Sequence, residues 1–260
     1  MADYVETPRG SFYVQQSGAA NARSMMFVAG LGDDYTSWDA PIEYLSPKYR
    51  CVTYDNRGIG RSPITEGPYT TRQMAADAQA IADQLGLDQL IAVGSSMGGA
   101  ICQEWVLAQP RTVERVVLSN TWGGHDDWFS ALIEHWIQLA ARGAGSDILY
   151  QLALFCFSPN YLTQHPETIE EFLATEPPDT AGFVAAGRAC QSHDALDRLA
   201  GIDAPTLIIG GRHDILTRPD LSTALASAMP AAELAWLPAG HMTFWECPRE
   251  WAQLVDDFIA

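Results

Sequence analysis

The chain has 260 residues, with 15 Lys and Arg against 32 Asp and Glu, a formal net charge of −17. That balance excludes the basic clusters on which phosphate-backbone binding depends, so nucleic acid is not an expected partner. With 47% hydrophobic and 18% charged residues, the composition is that of a folded chain and excludes an extended disordered one.

The first residues, Met1 to Glu6, have neither a basic start nor an apolar run, so no signal peptide is expected. Asp3 to Thr7 and Ser11 to Gln16 read as the two strands of a hairpin turned at Pro8-Arg9-Gly10. Short apolar runs at Met25 to Ala29, Cys51 to Tyr54, Leu90 to Val93, Val116 to Leu118 and Thr206 to Ile209 predict buried strands. Glu233 to Leu237 predicts the last strand. Helical spacing covers Thr71 to Leu85, stopped by Gly86, then Gly99 to Ala108, Pro219 to Met229, and Arg249 to Ile259 with Pro248 at its start. The alternation predicts an α/β fold: a mostly parallel eight-stranded sheet with helices on both faces.

One stretch breaks the alternation. Residues 122–199 contain no predicted strand, only helical pieces rich in aromatic and aliphatic side chains, and read as a helical cap inserted in a core formed by 1–121 and 200–260. Most of the cap's aromatics are expected to be its own core, with a few facing a pocket above the sheet. No run reaches the roughly 18 apolar residues of a membrane span, so no membrane partner is expected. Cys51, Cys102, Cys156, Cys190 and Cys247 lack C-x-x-C spacing, which argues against a disulfide framework or a zinc site and for a reducing cytoplasm.

Gly94-Ser95-Ser96-Met97-Gly98 has the form G-x-S-x-G between a predicted strand and a predicted helix. Small residues there permit a sharp turn that lifts the central serine above the sheet beside a helix N-terminus. The frame selects Ser96, because Ser95 as the centre would require glycine where Val93 and Met97 stand. A serine hydroxyl is a weak nucleophile and needs a histidine base, itself oriented by a carboxylate. Of six histidines, His241 follows the last strand at the edge where Ser96 lies, and Asp214 leaves the preceding strand at the same edge. Ser96, Asp214 and His241 are therefore the expected catalytic residues. The expected oxyanion donors are the backbone N–H groups of Met97 and of Leu31, in the loop Gly30-Leu31-Gly32.

Five ordered segments together resemble the α/β-hydrolase superfamily over nearly the whole chain: Ala29-Gly30-Leu31-Gly32 with Trp38, Asp55-Asn56-Arg57-Gly58-Ile59-Gly60-Arg61-Ser62, the serine elbow, Gly211-Arg212-His213-Asp214, and Gly240-His241 followed by Phe244, Glu246 and Pro248. The resemblance places a Ser-Asp-His triad on Ser96, Asp214 and His241 and implies that Asp55 and Arg57 fix a structural turn. It departs from the common pattern at Ala29, where many relatives carry His, and at Ser95, where many also carry His. Serine at the elbow disfavours epoxide hydrolysis and dehalogenation, which use Asp there.

The implied reaction is hydrolysis of a carboxylic ester or lactone through an acyl-enzyme, with a small-molecule substrate and no cofactor or metal. A looser resemblance points to 3-oxoadipate enol-lactonases, partly through Leu118-Ser119-Asn120-Thr121. Such anionic substrates would need a cation, for which Arg188 is the candidate; an apolar acyl pocket of Met97, Trp122, Trp128 and Phe155, with Gly30 beside it, instead suits a neutral ester. Carbon–carbon bond hydrolysis and cofactor-free haloperoxidase or perhydrolase chemistry use the same triad, and a non-enzymatic binding relative is a further alternative. Oligomeric state has no signal in the sequence.

Overall fold

The computed structural model describes residues 2–260. Eight strands, β1 (Ala2–Thr7), β2 (Gly10–Ser17), β3 (Ser24–Val28), β4 (Arg50–Tyr54), β5 (Leu90–Ser95), β6 (Val113–Ser119), β7 (Thr206–Gly211) and β8 (Ala232–Leu237), form one sheet in the order β1-β2-β4-β3-β5-β6-β7-β8. β2 pairs antiparallel with both β1 and β4; every other pairing is parallel. The α/β-hydrolase fold expected from the sequence is thus present, hairpin and eight strands included. β5 and β7 are buried along their whole length, which is why they read as unbroken apolar runs and not as alternating ones.

Register decides where the chemistry can lie. Val28 pairs with Gly94, Ser95 with Ser119, Ser119 with Ile209, and Gly211 with Leu237, so the loops after β3, β5, β7 and β8 all leave from one carboxyl edge.

Helices α1 (Asp39–Leu45), α2 (Thr71–Gln84) and α3 (Met97–Ala108) connect the first strands. A capping box fixes the start of α2: Thr70 Oγ1 accepts from Gln73 N–H, and the Gln73 side chain accepts from Thr70 N–H. Gly86, at φ +62°, ends it as predicted. α3 starts at Met97, two residues before the predicted Gly99. Gly98 is a poor helix former by propensity, but a β-carbon there would fall 1.9 Å from the Val28 carbonyl oxygen, so only glycine lets α3 approach β3.

Between β6 and β7 the chain is helical: α4 (Asp127–Ala141), α5 (Gly145–Cys156), α6 (Pro159–Gln164), α7 (Glu167–Leu173) and α8 (Thr180–Ser192). α4 packs on α8 and α5 on α7. This layer sits over the carboxyl edge and is tied to it at backbone level. A β-carbon on Gly182, in α8, would lie 1.8 Å from the carbonyl oxygen of Gly58, so the two chains touch there without side chains between them. On the opposite side Glu246 bridges the layers, accepting from Ser158 N–H at 2.7 Å, Ser158 Oγ at 2.7 Å and Gly240 N–H at 3.0 Å. We propose, as the sequence suggests, that residues 122–199 form a cap on a core made of the rest.

Helices α9 (Pro219–Ala228), α10 (Thr243–Glu246) and α11 (Pro248–Ile259) complete the fold, with Pro248 in the first turn of the last. Trp38 stacks on Phe244 with ring centroids 4.4 Å apart and also meets Phe27 and Trp251, sealing one face of the sheet. Among the described residues, no helix is long and apolar enough to cross a membrane.

Candidate active site

Ser96 ends the β5 turn at φ +53°, ψ −120°, a strained conformation for a residue with a side chain. The strain is held by the packing of α3 on β3 described above, and it turns Ser96 out at the N-terminus of α3. Met97 opens that helix, so its N–H belongs to the first turn and has no acceptor within it. The Gly30-Leu31 loop abuts the serine: a β-carbon on Gly30 would lie 3.5 Å from Ser96 Cβ. Leu31 itself lines the cavity into which Ser96 faces.

Asp214 and His241 meet as expected. His241 Nδ1–H donates to Asp214 Oδ2 at 2.9 Å, with both side chains almost fully buried, which leaves Nε2 as the basic nitrogen. Ser96 and His241 line the same cavity. The carboxylate has further donors that the sequence did not single out. Leu216 N–H and Thr217 N–H donate to Oδ1 at 2.8 and 2.9 Å, while Asn120 Nδ2 and Thr217 Oγ1 both donate to Oδ2 at 2.8 Å. Burial alone would raise this carboxyl; the imidazole and the Asn120 and Thr217 donors outweigh it and hold Asp214 below the usual carboxylate range. Behind it, Thr243 Oγ1 donates to Asn120 Oδ1 at 2.7 Å and Trp251 Nε1 donates to Ser119 Oγ at 3.1 Å, so the acid is anchored through α10 and α11.

Asp55 and Arg57 are structural, as the resemblance implied. Asp55 accepts from Tyr35 N–H and Arg61 N–H, both at 2.8 Å, and Arg57 makes a two-pronged contact with Asp77.

The expected pocket residues fare differently. The inner cavity is roofed by Phe129, Ile133, Trp136, Leu152, Cys156, Phe172 and Cys190. Trp122 is displaced one layer back, buried against Phe129 with centroids 4.3 Å apart. Phe155 lies behind Trp136, and Trp128 is 43% exposed with the Arg218 guanidinium over its ring. Met97 packs into the core below the elbow and does not line the cavity. Arg188 points away from the cavity and is paired on the outer surface with Glu134 and Gln191, so it cannot anchor an anion at the site. The correct roof was encoded as spacing: Phe129, Ile133 and Trp136 share one face of α4, and Leu152 and Cys156 one face of α5.

A second, outer cavity of about 810 Å³ adjoins the inner one, which measures about 30 Å³; Asp33, Leu152 and Phe172 line both. Burial raises the Asp33 carboxyl to about 6, with Asp34 adding to the rise and His241 and the Gly30 N–H opposing it.

Residues 23–248 match the family model for the alpha/beta hydrolase fold. Among curated proteins, the chain is 31% identical over 86% of its length to a candidate carbamate hydrolase, RutD, of Rhizobium rhizogenes, covering 87% of that protein. It is 27% identical over 92% of its length to 3-oxoadipate enol-lactonase 2 of Acinetobacter baylyi, covering 89% of it. Among solved structures it is similar to an enol-lactonase from Burkholderia xenovorans, with a TM-score of 0.93 and 25% identity over 99% of each chain. Fold, elbow and matched length agree, and the chain belongs to the alpha/beta hydrolase family.

Proposed function

We propose that the protein is a serine hydrolase that cleaves a carboxylic ester or lactone through an acyl-enzyme. The observation that carries this reading is the Asp214–His241 hydrogen bond at 2.9 Å, set in the cavity that Ser96 enters from a strained turn. His241 Nε2 takes the Ser96 proton, Oγ attacks the carbonyl carbon, and the N–H groups of Leu31 and Met97 receive the developing oxyanion. Asp214 keeps the imidazole in the tautomer that leaves Nε2 free and stabilises it once protonated. The imidazolium returns its proton to the leaving oxygen; a water then enters by the same route and releases the acid. This chemistry uses no metal or organic cofactor.

Lactones stand beside esters because the enol-lactonase relatives match the chain nearly end to end. An anionic enol-lactone is the weaker form of that reading, since among the described residues no Lys or Arg lines either cavity and Arg188 is engaged outside. The five free thiols support a reducing, cytoplasmic setting. Titration with a fluorophosphonate probe tests the mechanism: stoichiometric labelling of Ser96, lost in Ser96→Ala together with turnover of a small aryl ester, supports it. Absence of labelling in the intact protein sinks it and favours a binding relative.

A further inference from the structure

We infer that Asp33 sets the charge preference of this site, and that the substrates it selects are esters carrying an ammonium group. The inference rests on the serine-hydrolase reading above and concerns which ester, not whether one is cleaved. The inner cavity, at about 30 Å³, holds little beyond the reacting carbonyl. A substrate larger than the reacting group has the adjoining outer cavity of about 810 Å³ to extend into, and Asp33 stands in the wall that the two share.

That route is anionic and aromatic. Besides Asp33, the outer cavity is lined by Asp34, from the same loop, and by Glu171, Glu176 and Asp179, from α7 and the turn before α8. Among the described residues none of these five carboxyl groups has a Lys, Arg or His in an ion pair. The rings of Phe172 and Trp245, with centroids 6.5 Å apart, face the same space. Carboxylates together with aromatic faces are the surroundings that bind alkylated ammonium groups, through charge and through the ring quadrupole. On the inner side, Asp33 feels the His241 imidazole and the Cys156 thiol, and burial holds that thiol and the Cys190 thiol, which lines the same cavity, protonated. Asp33, half-buried and hydrogen-bonded by the Gly30 N–H, has no Lys or Arg in an ion pair among the described residues, and a substrate cation fits the vacancy in charge. The overall charge of −17 draws cations toward this opening in the same sense.

The test uses matched esters that differ only in a quaternary nitrogen or a carbon at one position. One pair places the charge on the alcohol: acetylcholine and its uncharged carbon isostere. The other places it on the acyl chain: the aryl ester of γ-trimethylammoniobutyrate and its carbon isostere, with a glutarate monoaryl ester as the anionic counterpart. For the intact protein, kcat/KM should favour the cation by about tenfold or more in one pair, and the anionic ester should be slowest. In Asp33→Asn that ratio should fall toward one. Because both members of a pair use the same triad, pH effects on the chemical step cancel from the ratio; in the wild type it should rise with pH through about 6, and in Asp33→Asn it should be flat. A purely structural role for Asp33 would not produce that profile. A ratio near one in both pairs, a ratio unchanged in Asp33→Asn, or faster turnover of the anionic ester would overturn the inference. Calorimetric binding of choline and of its carbon isostere to Ser96→Ala, with and without Asp33→Asn, reads the same contrast without turnover. Equal binding of the two there sinks the inference even if no ester is hydrolysed, and the two readings fail separately.

Discussion

The hydroxyl of Thr217 lies 3.1 Å from Nδ1 of His241 and donates, at 2.8 Å, to the same Asp214 oxygen that the imidazole uses. That oxygen thus has three donors, the imidazole N–H, Thr217 Oγ1 and Asn120 Nδ2, and the carboxylate cannot rotate away without breaking several bonds at once. Thr217→Val removes one charge-assisted bond while keeping the shape. A bond of that kind contributes about 1.5–3 kcal/mol, so kcat should fall by about tenfold or more with KM little changed. Steady-state kinetics on one aryl ester checks this.

Asp214→Asn keeps the geometry but offers the imidazole an amide in place of a carboxylate, which favours the tautomer with the proton on Nε2. Turnover should drop by about 10⁴, by analogy with the same change in a serine protease triad, and fluorophosphonate labelling of Ser96 should slow in parallel. Normal labelling with lost turnover would place the function of Asp214 elsewhere.

Gly98→Ala places a β-carbon where the Val28 carbonyl oxygen now stands, 1.9 Å away. Because the contact is with backbone on a central strand, neither side can yield cheaply. Stability should fall by about 2 kcal/mol or more, read as the midpoint of denaturant unfolding.

His193 tests the fold at a distance from the chemistry. It is buried between Thr71 Oγ1 and Gln103 Oε1, and burial lowers its pKa from 6.5 to about 4. Between those values the unfolded chain binds the proton and the folded chain does not, so this contribution is full above 6.5 and is lost as pH falls toward 4. Asp33 has the opposite sign: between 3.8 and about 6 the folded chain holds the proton, so its contribution is full below 3.8 and is lost as pH rises through 6. The two slopes oppose each other in the intact protein and separate in variants. Relative to wild type, Asp33→Asn should gain about 1–2 kcal/mol at neutral pH and nothing in acid. His193→Gln should lose stability at neutral pH and converge with wild type in acid. Urea unfolding across this pH range distinguishes them.

Arg188→Ala should leave ester turnover unchanged, since the side chain is held by Glu134 and Gln191 on the outer face of the cap. A tenfold rise in KM would restore it to the site.

Much of this was readable from the chain because backbone geometry leaves strong marks. The glycines around Ser96 are required by close approach, the runs in β5 and β7 by burial on both faces, and the positions of Asp214 and His241 by strand ends at one edge. The pocket was harder. Trp122, Trp128 and Phe155 are large and apolar, but size does not say which side of a helix faces the cavity; the i, i+4, i+7 stripe of Phe129, Ile133 and Trp136 does. Asn120 and Thr217 carried little signal, because a hydrogen bond across 94 residues, as between Asn120 and Asp214, has no local sequence pattern. Charge alone makes Arg188 a candidate, and charge does not reveal a partner such as Glu134 on a neighbouring helix.

The contact between Gly182 and Gly58 has a consequence for how this chamber could change in related chains. A helix that rests on a loop through backbone alone has its height set by two missing methyl groups. Adding one at either place acts as a shim: it lifts the N-terminal end of α8 and tilts the helix against the α4 face packed alongside, which roofs the cavity over Ser96. Headroom over the nucleophile can therefore be altered by a residue that never meets the substrate, with the triad left untouched.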